Sequence, residues 1–123
     1  MRLAFFLASL MSGLTPAYAA SDLICGGVEP FWALEIKGET ALFTAPDTPD
    51  IAYDVQLRTV AEGRTSPVAL TLIARTDTAI VILGERACGD TMSDTVFSHS
   101  VEVLTQRQSR AVMYTGCCRA VPE

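Results

Sequence analysis

The sequence predicts an all-β domain, a small antiparallel barrel or barrel-like sandwich of about seven to eight strands tied by two disulfides. Three observations predict it. Apolar and polar residues alternate over short runs, as in half-buried strands. Gly, Pro and Asp separate those runs at the spacing of hairpin turns. Four cysteines, Cys25, Cys88, Cys117 and Cys118, suit an exported chain of 123 residues stapled across a small core.

The first element is a targeting signal over residues 1–19. Arg2 gives it a positive start, an apolar run follows to Leu14, Pro16 breaks it, and Ala17-Tyr18-Ala19 supplies the small residues of a cleavage site. The run is too short to cross a bilayer of ~30 Å comfortably, so no stable membrane insertion is expected after cleavage. Lipidation at Cys25 is not expected either, because Asp22-Leu23-Ile24 lacks the small residues such processing requires. Residues 20–123 form the mature single domain.

The first strand covers residues 31–36, with Trp32, Leu34 and Ile36 on one face. A turn at 37–39 leads to a short strand over 41–44, and a Pro/Asp loop covers 46–50. A strand over 54–60 alternates with Val55 and Leu57 inward and Gln56 and Arg58 outward. A turn at 62–67 precedes the strongest pair, 68–74 and 79–85. The second of these is apolar on both faces, which predicts a central, covered strand. Residues 89–95 are the one candidate helical piece, a turn or two long. A last hairpin joins 99–105 to 111–116 around 106–110, with Val101, Val103, Val112 and Tyr114 inward.

The cysteines allow three pairings. A bond between the adjacent Cys117 and Cys118 would strain the peptide joining them, so each is expected to reach a different partner. On a strand their side chains point to opposite faces, one to the core and one outside. The preferred pairing is Cys88–Cys117 with Cys25–Cys118. In the chain-entropy model such loops contribute roughly 3.5 and 4.5 kcal/mol. A thiolate metal or redox site is the alternative use, but the two-residue spacing usual for one is absent.

Composition narrows the function. Half of the residues are hydrophobic, and the net charge is −5, or about −6 once Arg2 is removed. An acidic domain has no electrostatic reason to seek phosphate backbones, so nucleic acid is not an expected partner. His99 is the single histidine, and its flanking Ser98 and Ser100 would face away from it on a strand, so a Ser/His/Asp triad is not expected. The loop holding Asp90, Ser93 and Asp94 offers too few oxygens for calcium. Asp90 is better suited to cap the short helical turn, with Asp94 or Ser93 closing it, and Met92 to fill the core. Glu29 and Trp32 are the remaining ligand candidates. Their structural roles would be an acceptor for backbone N–H groups at the barrel end and a core plug.

Three signatures stand in order along the chain: Gly27-Val28-Glu29-Pro30-Phe31-Trp32, then Cys88-Gly89-Asp90-Thr91-Met92-Ser93-Asp94, then Gly116-Cys117-Cys118-Arg119. Together they resemble an uncharacterised family of bacterial exported or lipid-anchored envelope proteins, over nearly the whole mature chain. The resemblance implies a periplasmic location and brings no established activity. The expectation is therefore a non-catalytic, secreted envelope module without cofactor or metal. Its partner would be an envelope protein or a small ligand, held at a barrel mouth or at the loops 46–50 and 62–67. A lysozyme-inhibitor-like role fits that compartment and fold. A structural or stress-related envelope protein and a cysteine-based metal or redox protein are the alternatives.

Overall fold

A computed structural model of the chain describes residues 22–121. The expected signal peptide, residues 1–19, lies outside them. The strands are β1 (Leu23–Val28), β2 (Phe31–Lys37), β3 (Thr40–Ala45), β4 (Thr48–Val60), β5 (Val68–Ile73), β6 (Asp77–Gly84), β7 (Cys88–Gly89), β8 (Val96–Phe97), β9 (His99–Arg107) and β10 (Arg110–Ala120). Eight of them close into an antiparallel barrel in the order β1-β10-β9-β6-β5-β4-β3-β2. The remaining two, β7 and β8, pair only with each other and form a small flap.

The interior follows from the alternation. Trp32, Leu34 and Ile36 face inward from β2, Leu70 and Leu72 from β5, Val81 from β6, and Val101 and Val103 from β9, all buried. Trp32, Phe43 and Tyr114 pack as an aromatic trio, with ring centroids 5.2 to 6.2 Å apart. The guanidinium of Arg107 lies 5.0 Å from the Phe43 ring centre, a cation over an aromatic face.

The expected disulfides form, Cys25–Cys118 and Cys88–Cys117. Cys25 and Cys118 are cross-strand partners on β1 and β10, and both are buried in the core. Cys117, one residue away, is bonded to Cys88 of the flap.

Five features differ from the alternation reading. First, β1 went unread because Gly26-Gly27 resembles a turn and Gly weakens strands. Those glycines are required by packing. A side chain at Gly27 would collide with the Trp32 indole, and one at Gly116 on β10 would collide with the Gly26 carbonyl. Second, Leu57 is 63% exposed, not inward. A bulge between Val55 and Leu57 leaves Gln56 without a partner and puts Arg58 opposite Leu70, which reverses the facing beyond it. Third, β6 is hydrogen-bonded on both sides but not covered on both faces, and Ile80 is 47% exposed. A closed barrel gives every strand two neighbours while leaving its outer face to solvent.

Fourth, residues 89–95 are not helical. Thr91 has φ 66°, which no right-handed helix accepts. The Asp90 side chain also takes up the amides that a helix would use. Fifth, two connections are tighter than read. The 46–50 loop shrinks to a turn because β4 begins at Thr48, and the last hairpin turns at 108–109 rather than 106–110. The register shift early in β4 falls around Pro49, a residue that cannot donate to the ladder.

Candidate functional site

The three sequence signatures converge on one shelf. The chain reverses between β1 and β2 at Glu29-Pro30, and Glu29 is exposed there. The flap is drawn onto the outside of β10 by the Cys88–Cys117 bond, with the Cys88 sulfur 3.4 Å from the Gly116 carbonyl oxygen. Gly27, Glu29, Gly89, Asp90, Thr115 and Cys117 are among the residues bordering the resulting depression, about 280 Å³ in volume.

Asp90 organises the flap. Its Oδ1 accepts the amides of Met92 at 3.1 Å and Ser93 at 3.0 Å, and the Ser93 hydroxyl at 3.1 Å. The Ser93 amide chiefly, helped by the Met92 amide, holds the Asp90 carboxyl below its ordinary value of 3.8. The Ser93 hydroxyl in turn accepts the Thr95 amide. Asp90 therefore holds a non-helical turn, not the short helical one it was expected to cap.

The other candidates separate. Trp32 is 5% exposed, a core plug under the shelf. Glu29 borders the shelf and accepts no hydrogen bond from the described residues. Asp94 is exposed on the flap. Met92, expected in the core, is 65% exposed, because the flap tip lies outside the barrel and has no interior to fill. Glu29 and Asp90 are thus the two carboxylates brought to the shelf. Among the described residues no group of three or more His, Cys, Asp or Glu is placed to hold a metal ion.

A second concavity opens at the barrel end where β1, β5 and β9 begin and β6 finishes. It measures about 140 Å³. Leu23, Val68 and Leu83 form an apolar floor, with Arg58, Glu85 and His99 among its polar walls. The β4 bulge turns Arg58 toward this mouth, where its Nη2 donates to the Gly38 carbonyl at 3.2 Å. Thr65 and Ser66 of the 62–67 turn complete the rim, and the Ser66 hydroxyl accepts the Glu85 amide at 2.9 Å. Of the two loops expected to make contacts, 62–67 thus borders a concavity.

Ser98 and His99 do meet, with Oγ 2.7 Å from Nδ1. The alternation argument missed this because Ser98 precedes β9 and is free of its pleat. No carboxylate among the described residues hydrogen-bonds His99. Arg58 and Glu85 also escaped sequence reading, since an extra residue in a strand leaves no mark on composition.

A separate polar group sits inside the barrel. Arg107 Nε lies 3.6 Å from Asp77 Oδ2, an ion pair beyond hydrogen-bond length. The Tyr53 hydroxyl is buried beside it, without a hydrogen-bond partner among the described residues. Burial, followed by the Asp77 charge, raises the Tyr53 hydroxyl above its ordinary 10.0.

Compared with protein-family models, with curated proteins and with solved structures, the chain finds no match.

Proposed function

We propose that the mature domain is a non-catalytic binding module of an oxidising, extracytoplasmic space, the periplasm, and that it seats an envelope protein or a small ligand at the barrel mouth. One observation carries the reading: the β4 bulge points Arg58 into a concavity floored by Leu23, Val68 and Leu83. Bulges commonly re-aim a side chain next to a functional site. An apolar floor with a few convergent polar groups is the usual form of a ligand site.

Two disulfides favour an oxidising compartment, in line with the apolar N-terminal segment and the three family-like signatures. All four cysteines are bonded, which supports structural crosslinks over a thiolate metal site. Inhibition of a lysozyme is the specific version of the proposal, by analogy of fold and compartment.

The test uses oxidised protein at micromolar concentration, scored for slowing a lysozyme and for capturing a partner from envelope extract. Arg58→Ala should reduce either activity about tenfold or more while the fold is retained, since truncating a central Arg of an interface commonly costs that much. No inhibition and no capture by the unaltered protein would overturn the proposal, as would full activity of Arg58→Ala.

A further inference from the structure

The barrel wall is not sealed along its whole height. β10 pairs with β9 from Arg110 to Cys118. With β1 it pairs at four positions only, from Leu23–Ala120 to Gly26–Cys117. Beyond them β1 turns away through Glu29-Pro30 into β2, and among the described residues no strand takes its place beside residues 110–116. The alternation of an antiparallel ladder says which groups are left over. The Val121 amide donates to the Asp22 carbonyl at 2.9 Å, so the odd-numbered residues of β10 address β1. The Thr105 hydroxyl donates to the Val112 carbonyl at 3.0 Å, so the even-numbered ones address β9. The Thr115 carbonyl obeys the same rule, lying 3.0 Å from where a Gly27 side chain would begin. The amides and carbonyls of Ala111 and Met113 therefore point out of an open strand edge.

We propose that this edge takes up an extended, basic-ended peptide segment of a partner protein as an added strand, at the opposite end of the barrel from the mouth. Open edges are ordinarily blunted by Pro, Lys or inward charges. Residues 110–115 read Arg-Ala-Val-Met-Tyr-Thr, with one charge, at the hairpin end. In this mode of recognition main-chain hydrogen bonds give affinity and alternate side chains give specificity.

An antiparallel segment continues the line that β1 abandons, with its first residue opposite Thr115. That position adjoins the depression between β1, β10 and the flap, bordered by Glu29 and Asp90, so a basic residue belongs there. Residues opposite Tyr114 and Val112, both half-buried, fall on the inner side near the aromatic trio and are apolar. Those opposite the exposed Met113 and Ala111 are polar, and an acidic residue meets Arg110. The two carboxylates of the shelf and a net charge of −5 favour such a segment over a second copy of this acidic chain.

The probe is a capped hexapeptide, Lys-Val-Thr-Val-Thr-Asp, titrated into the oxidised protein and read by amide resonances. Saturable binding at sub-millimolar concentration should appear, with shifts centred on residues 110–116, Glu29 and the flap. An N-methyl group on the third residue, whose amide faces Met113, should weaken binding about tenfold or more. The same group on the second or fourth residue, whose amides face away, should be tolerated. Met113→Pro removes the facing donor while sparing the ladder to β9 and should weaken binding by a similar factor; the N-methyl series decides even if this variant fails to fold. Glu29→Lys should reverse the preference, favouring a peptide that begins with Glu. No binding would overturn the proposal, as would equal weakening by N-methylation at every position or full binding to a folded Met113→Pro barrel. So would shifts centred on the mouth, or a dimer joined through β10 that the peptide does not dissolve.

Discussion

The barrel seam and the outer flap are each held by a disulfide, and both bonds reach the same stretch of β10. Cys118 points inward and joins Cys25 where β1 closes the barrel. Cys117 points outward and holds Cys88 of the flap. At the seam the bond is buried among Trp32, Leu34 and other core residues, so it cannot open without loosening the closure. In the flap the bond holds two short strands that pair only with each other, with Met92 and Val96 exposed. The same chemistry thus secures a cooperative core in one place and a local appendage in the other, and local openings of low cost are drawn from such appendages.

The sharpest way to break the comparison is to remove the bonds one at a time. Replacing Cys25 and Cys118 by Ala releases a crosslink with a sequence separation of 93. It should cost about 4.5 kcal/mol and lower the thermal midpoint by about 20 °C, read by calorimetry. Replacing Cys88 and Cys117 by Ala releases one with a separation of 29, for which chain entropy alone gives about 3.5 kcal/mol. If the flap opens independently of the barrel, the midpoint should move by less than half as much. Hydrogen exchange should then rise in residues 85–98 and not in β5 or β6. Equal shifts for the two variants would make flap and barrel one cooperative unit.

The smallest effect concerns acid. The Asp90 carboxyl is held below 3.8 in the folded flap, so its contribution is present above that value and is lost as pH falls through the lowered one. The amide resonances of Met92 and Ser93 should shift with a midpoint below 3.8. Trp32, the single tryptophan, should keep its buried emission through that step. A simultaneous change in Trp32 would again join the two regions.

The sequence reading succeeded where facing is periodic and failed where it is interrupted. Trp32, Leu34 and Ile36 announce their face, and the vicinal cysteines announce two partners on opposite sides. Arg58 was assigned the wrong side because the residue that reverses its strand, Gln56, is an ordinary strand residue whose role exists only against β5. Gly26 and Gly27 interrupt the alternation, and the Trp32 ring that leaves Gly27 no room for a side chain arrives from another strand. Ile80 read as covered because alternation cannot tell a strand paired on both edges from one covered on both faces. Of the candidate site residues, Glu29 and Asp90 come to border one depression through the flap bond, which joins segments far apart in the chain.

The adjacency of Cys117 and Cys118 also bears on how the molecule matures. Exchanging their partners would require β10 to slide by one residue against β1, which turns every side chain of the strand to the other face. Val112 and Tyr114 would then leave the lumen, and Met113 and Thr115 would enter it. Oxidation to the native pair is therefore possible only in the correct alignment, so the two sulfur links proofread the last closure of the wall.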